Sequence, residues 1–344
     1  MSSLTARAAT SLFSIHGTGV AYWAGAACLV DPALGLLWHF RRTVLDDPYP
    51  LRLVFEGVEH RAGVPVGVPQ GSRVLSSAAG RAMRDSTSDT WHCRVVEDQG
   101  RLIADFAEDG CIVIDRTRGI AEGWLVRPER MPAQMIEWYL HFALGELVKQ
   151  RGLYAVHATA LEKNGRGVLI PGYSGRGKTT AFLSLLRAGF RYLSDDTPRL
   201  RVTGAGVEVL SFPMKVDVTE RTIDVFPELR AAPSGVLRQG LYKKYFHVEE
   251  VYSSGIGNSC RPAVILFPRV IDAPASSLDP LPKGDALRAI LPQALVVHGP
   301  EIARREFHAL STLVQMADCY TLQFGQDILD LPNLITPLLE QVGV

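Results

Sequence analysis

The sequence predicts an α/β protein in two parts: a β-rich N-terminal domain over residues 1–130 and a second domain over residues 131–344, built on a mixed sheet flanked by helices. Three observations carry this. A glycine-rich G-x-x-x-x-G-K-[ST] loop, Gly172 to Thr179, joins an apolar strand to a helical run. An Asn164-Gly165 pair just upstream signals a β-hairpin, giving the strand before the loop an antiparallel partner and so a mixed rather than an all-parallel sheet. Residues 1–130 alternate short β-favouring runs with Gly, Pro and Asp clusters.

In chain order, Gly17 to Trp38 is apolar enough to suggest a membrane span. Asp31-Pro32 interrupts it and small residues fill its first half, so two strands joined by a turn are expected instead. Leu51–Phe55 and Cys111–Ile114 read as strands. From Ala133 to Gln150 apolar residues recur at helical spacing, with Pro132 suited to the first turn and Gly152 to the stop. The domain boundary is placed just before this helix. A strand over Leu153–Leu161 pairs through the Asn164-Gly165 turn with the strand entering the loop. The helix that follows closes at Gly189, and Phe190–Ser194 forms a strand ending in Asp195-Asp196. A hairpin at Thr203–Gly206 and a buried strand at Ala263–Phe267 come next. The remainder is expected to be mostly helical, with helices near Asp285–Leu291 and from about Pro300 through Ala317.

Composition bounds the partners. With 47% hydrophobic residues the chain buries a core, and equal numbers of basic and acidic residues, 36 each, give no electrostatic reason to expect nucleic acid or an anionic membrane. Five dispersed cysteines without C-x-x-C spacing argue against a disulfide framework or a zinc site. They suit a reducing compartment. With no secretory signal recognisable near the N-terminus, a cytoplasmic location is expected. His16, His39, His60 and His92 are isolated and read as ordinary surface or core histidines.

The loop Gly172-Tyr173-Ser174-Gly175-Arg176-Gly177-Lys178-Thr179-Thr180 carries the chemistry. Its glycines reach backbone angles closed to other residues, so successive N–H groups turn inward around a phosphate. The helix starting near Lys178 adds its positive end. Lys178 supplies a cation for the β- and γ-phosphates, and the Thr179 hydroxyl is a ligand for the accompanying Mg²⁺. Asp195 and Asp196 stand 17 and 18 positions after Lys178 at a strand end, where phosphoryl transfer needs one carboxylate for the metal and one to take a proton. Asp195-Asp196-Thr197-Pro198 also reads as a simple turn. His157, on the strand of the preceding hairpin, is within reach of the same place.

Taken as an ordered set, Val156–Leu161, Gly167–Thr179 and Leu193–Asp196 resemble the catalytic domain of HPr kinase/phosphorylase and of HPr-kinase-like serine kinases, including those of peptide-modification gene clusters. A looser likeness extends from about Trp138 to the C-terminus through Val264–Arg269 and Tyr320–Gly325. The resemblance implies a P-loop kinase domain of the phosphoenolpyruvate-carboxykinase-like type. It also implies ATP and Mg²⁺ as cofactors and transfer of the γ-phosphoryl group to a serine-type hydroxyl of a protein or peptide. By the family's pattern Asp195 is the base, His157 orients or tunes it, and Thr179 and Asp196 hold Mg²⁺, although the sequence leaves the two aspartates interchangeable. The glycine-rich segment that follows the paired aspartates in that family is replaced here by Ser211–Asp217, which puts HPr itself and the phosphorylase reaction in doubt, and Arg176 stands where a small or aliphatic residue is usual. Lys215, Lys243, Lys244 and Arg269 are candidates for stabilising charge on a transferring phosphoryl group. A small-molecule hydroxyl kinase and a nucleotide-responsive binding module with little turnover are the alternatives. GTP or pyrophosphate as donor and a homo-oligomeric state stay open.

Overall fold

The computed structural model describes residues 10–81, 90–172, 177–231, 236–238, 241–294 and 298–340, and the chain divides into two compact units, Met1–Arg151 and Gly152–Val344.

The N-terminal unit is built on one nine-stranded sheet among the described residues. Its spatial order is Arg41–Arg42, Ser11–Ile15, Thr18–Ala24, Leu51–Val58, Ile120–Val126, Gly110–Asp115, Arg101–Asp105, Thr90–Asp98 and Arg73–Arg81. Leu51–Val58 runs parallel to both of its neighbours, and every other pair is antiparallel. Gly17 to Trp38 crosses from strand to helix: Thr18–Ala24 is followed by the helix Val30–Leu37, where a second strand was expected. Pro32 falls in the first turn of that helix, where no intrahelical N–H is needed, so the proline that seemed to break the segment is compatible with it.

The helix Ala133–Lys149 belongs to this unit, whereas the boundary at 130/131 placed it in the nucleotide-binding domain. Its apolar face packs on the strands Leu51–Val58, Gly110–Asp115 and Ile120–Val126. Tyr139 lies against Phe106 with ring centroids 4.4 Å apart, and Trp138 and Phe142 close on the same phenyl ring. Burial of such rings contributes about 1.5–3 kcal/mol each, which ties the helix to the sheet that precedes it in sequence.

The second unit has a mixed sheet in the order Leu153–Ala155, Arg199–Thr203, Gly206–Leu210, Ser259–Val270, Arg166–Pro171, Ala158–Lys163 and Arg191–Ser194. Asp318–Phe324 also pairs with Ser259–Val270, and Ser277–Pro280 with Asp318–Phe324. Ser259–Val270 is parallel to both Arg166–Pro171 and Asp318–Phe324; the hairpin strand Ala158–Lys163 is antiparallel to its neighbours. Asn164 and Gly165 both have positive φ, 54° and 76°, as a two-residue hairpin of this hand requires. Both faces of the sheet are covered. Val168 and Ile170 pack into one core with Phe182 and Leu186, and Leu169 points into another with Leu310 and Leu313. Alternate residues of one strand therefore serve two cores, which is why its sequence is continuously apolar.

Two further expectations are corrected here. The run Leu153–Leu161 is two strands rather than one, broken at Val156-His157. The sequence between the Thr203–Gly206 hairpin and the strand at Ala263–Phe267 carries an unexpected three-stranded sheet of Val216–Val218, Leu241–Phe246 and Val236–Arg238, and the mostly helical remainder also contains the strands Ser277–Pro280 and Asp318–Phe324. Of the predicted helices, Lys283–Ile290 and Pro300–Met316 are present. Among the described residues no helix is long and apolar enough to cross a membrane.

Candidate active site

Strand register alone gathers the candidate residues. Ala158 pairs with Pro171, so the end of the strand feeding the glycine-rich loop lies beside the start of the hairpin strand. Ala160 pairs with Ser194, so the end of Arg191–Ser194 lies at the same edge. Gly172, His157, Asp195 and Asp196 each sit just past one of these strand ends, and all four are therefore delivered to one end of the sheet. The break at Val156-His157 serves the same purpose. It leaves the His157 N–H to donate to the Gln293 carbonyl at 2.7 Å instead of to a ladder, and frees the ring from the sheet surface.

Lys178 opens the helix Lys178–Arg187, behind Gly177, whose φ of 87° is left-handed. A Cβ at Gly177 would lie 2.9 Å from the Phe324 ring, so both conformation and space require glycine. The largely buried Lys178 ammonium donates to the Gly172 carbonyl and stands 3.3 Å from His157 Nε2. An ammonium has only donors, so Nε2 is the acceptor, and the imidazole proton is assigned to Nδ1, 3.0 Å from Asp196 Oδ1. The result is a chain, Lys178–His157–Asp196. Burial lowers the Lys178 pKa, and the carboxylates of Asp196 and Asp195 oppose that.

Asp195 and Asp196 diverge although adjacent. Ser194 Oγ accepts from the N–H groups of Asp196 and Thr197 at 3.4 and 3.1 Å, and Thr159 Oγ1 donates to the Asp195 carbonyl at 3.0 Å. The segment is a side-chain-stabilised turn as well as a carboxylate pair. Asp195 Oδ1 accepts from Tyr192 OH at 3.0 Å. Burial, and after it the Asp196 carboxylate, push the Asp195 pKa up to about 8; the Tyr192 hydrogen bond works against them. His157 was expected to tune Asp195; in the structure it meets Asp196.

The segment Ser211–Asp217 runs against this pair. The N–H groups of Ser211 and Phe212 donate to the carbonyls of Asn258 and Leu193 at 2.9 Å each, and both the N–H and the carbonyl of Met214 lie 3.2 Å from Tyr192 OH. Asp217 is close enough to raise the Asp195 pKa further. Of the candidate cations, Lys215 stands 5.2 Å over the Tyr245 ring, in the segment that touches Tyr192. Arg269 follows Pro268, the neighbour of Gly172, at the loop end of the parallel strand. Lys244 lies on the separate small sheet, opposite Val218. The side chain of Lys243, and the loop residues Tyr173, Ser174, Gly175 and Arg176, lie outside the described residues. Thr179 and Thr180 occupy the first turn of the helix, both half-buried.

Two residues near the site were missed in the sequence. Tyr192 reads there as an apolar strand residue. Arg199 reads as an ordinary strand charge, yet it is 1% exposed, with its guanidinium 4.4 Å above the Phe212 ring. Burial lowers its pKa to about 10, against the pull of Asp196 and Glu306. An arginine three positions after an acidic pair, before an apolar strand, is the one available hint.

The residues present fit a nucleotide and its metal. Lys178 is pressed toward neutrality by burial, and two neighbouring carboxylates are held together with one of them strongly raised, so a phosphate and a divalent cation would relieve both. Among the described residues no group of three or more His, Cys, Asp or Glu side chains is arranged to hold a metal ion.

No family model matches the chain, and no curated protein matches it. Among solved structures it is similar to the Hpr(Ser) kinase/phosphatase from Coxiella burnetii, with a TM-score of 0.26 and 14% sequence identity, over 54% of this chain and 93% of that one. A match at that level assigns neither activity nor substrate to this chain.

Proposed function

We propose that this chain is a P-loop phosphotransferase that moves the γ-phosphoryl group of ATP, with Mg²⁺, onto a serine-type hydroxyl of a protein or peptide. The observation that carries the reading is the convergence at one sheet end of Lys178, the His157–Asp196 pair and the raised carboxyl of Asp195. ATP with its metal supplies the activated phosphoryl group and neutralises its charge. Lys178 and the helix N-terminus hold the phosphates, and Thr179 and Asp196 are the residues to hold Mg²⁺. Asp195 takes the proton of the attacking hydroxyl. Its pKa near neutrality makes it a stronger base than an ordinary carboxylate, and Tyr192 holds one of its oxygens, leaving the other to take the proton. His157 holds Asp196 in place and gives Lys178 a hydrogen-bond partner before nucleotide arrives.

The test is incubation with γ-labelled ATP and cell extract. Label on a protein or peptide is expected, whereas label on a small molecule would redirect the reading to a metabolite kinase. The Asp195→Asn protein should still bind ATP but transfer no label, and Lys178→Ala should bind it weakly. Transfer at the parent rate by Asp195→Asn would remove Asp195 from the base role.

A further inference from the structure

A concave site lies wholly within the N-terminal unit. It is a cavity of about 640 Å³, and four of its lining residues are arginines brought together from three separate segments: Arg52 on the strand Leu51–Val58, Arg116 and Arg118 in the turn after Gly110–Asp115, and Arg151 beyond the helix Ala133–Lys149. Tyr49 and Pro50 form part of its wall. No lining residue is acidic.

In a chain with as many acidic as basic residues, four guanidinium groups around one hollow with no acidic lining residue are a local excess of positive charge. Arg116 has a carboxylate partner, Glu97, at 3.8 Å, and the Arg151 guanidinium donates to the Tyr49 carbonyl, which holds the wall in place. Among the described residues no carboxylate pairs with the side chains of Arg52 or Arg118. Two acids adjoining the lining residues in sequence bond to backbone: Asp115 accepts from the Arg118 N–H at 2.9 Å, and Asp47 from those of Gly19 and Tyr49 at 3.0 and 2.9 Å. Like charges gathered in a concave wall raise the local potential for a counter-ion, and the planar fork of arginine matches carboxylate and phosphate oxygens. The volume falls within the roughly 300–1,000 Å³ of small-molecule sites.

We propose that this cavity binds a small organic anion carrying at least two phosphate or carboxylate groups, at a site separate from the glycine-rich loop. The inference does not depend on the phosphotransferase reading.

The test is calorimetric titration of the full chain carrying Lys178→Ala, which weakens the phosphate loop, with inorganic pyrophosphate and, separately, with citrate. One-to-one binding that weakens as salt is raised is expected for at least one of them, falling about tenfold or more when Arg52→Gln and Arg118→Gln are added. Binding of pyrophosphate alone identifies a phosphate-bearing ligand, of citrate alone a polycarboxylate, and of both the shared anion chemistry. Binding by neither, or binding that the arginine substitutions leave unchanged, overturns the proposal. Arg118 is exposed, so Arg118→Gln alone keeps the fold and should show an intermediate loss; an unaltered melting curve for the double variant excludes unfolding as the cause.

Discussion

The Tyr192 hydroxyl stands 3.0 Å from Asp195 Oδ1 and 3.2 Å from both the N–H and the carbonyl of Met214, so one buried phenol ties the candidate base to the backbone of the segment Ser211–Asp217. Tyr192→Phe removes the hydroxyl and keeps the ring in its core. A hydrogen bond of ~1–2 kcal/mol is lost, and kcat is expected to fall about tenfold with the affinity for ATP unchanged. Separate measurement of kcat and of nucleotide binding checks this; a parallel loss of both would mean that Tyr192 only supports the fold.

The raised pKa of Asp195 has a consequence for the nucleotide-free protein. An acid at about 8 in the fold and near 3.8 in the unfolded chain binds its proton more tightly when native, so its effect on stability turns unfavourable as pH rises between those values and is flat above them. Denaturant unfolding at mildly acidic and mildly alkaline pH should show the parent losing stability toward alkali. Asp195→Asn should remove that part of the slope. An unchanged slope in the variant would refute the assignment.

His157 bridges Lys178 and Asp196, so its removal unlinks a phosphate-binding group from a metal-binding one. His157→Ala is expected to lower kcat by about ten- to a hundredfold, as for other groups that position charge at a reacting centre. Lys178→Ala is expected to act chiefly on ATP affinity. Titration of both variants with ATP, beside their turnover, separates the two roles.

Arg199 is expected to matter for stability more than for binding. Replacing it with Met leaves the buried Glu306 carboxylate without its charge, at a cost of about 3–5 kcal/mol. Arg199→Lys should recover little, because an ammonium cannot stack flat on Phe212. Denaturation midpoints of the two variants against the parent give the answer.

The sequence displayed those parts of the site that depend on local order. Asn164-Gly165, Gly172 to Thr179 and Asp195-Asp196 are legible from turn chemistry and spacing within about thirty residues, and the meeting of Gly172 with Asp195-Asp196 at the sheet end opposite the Asn164-Gly165 turn follows from the hairpin register. Tyr192 and Arg199 were not legible because their roles are set by partners distant in sequence or by burial, which leave no periodic trace. The break before His157 hides inside a continuously apolar run. Pro32 looked like an interruption because a proline in a first helical turn and one in a β-turn read alike. The helix Ala133–Lys149 was visible as a helix, but nothing in its own pattern says which sheet receives its aromatic face.

The hairpin ahead of the glycine-rich loop also bears on how the protein folds. Ala158–Lys163, Arg166–Pro171, Lys178–Arg187 and Arg191–Ser194 are consecutive in the chain and pack on one another, so the groups of the candidate site meet after closing only short loops. The parallel strand Ser259–Val270, by contrast, must return across a long stretch of chain before it pairs. Contacts of low sequence separation form fastest. In a pulsed hydrogen-exchange experiment the amides of the hairpin are expected to gain protection before those of Val264–Leu266. Simultaneous protection would show that the sheet condenses in one step. An early hairpin would leave the unpaired edge of Arg166–Pro171 as the segment open to mispairing until its parallel neighbour arrives.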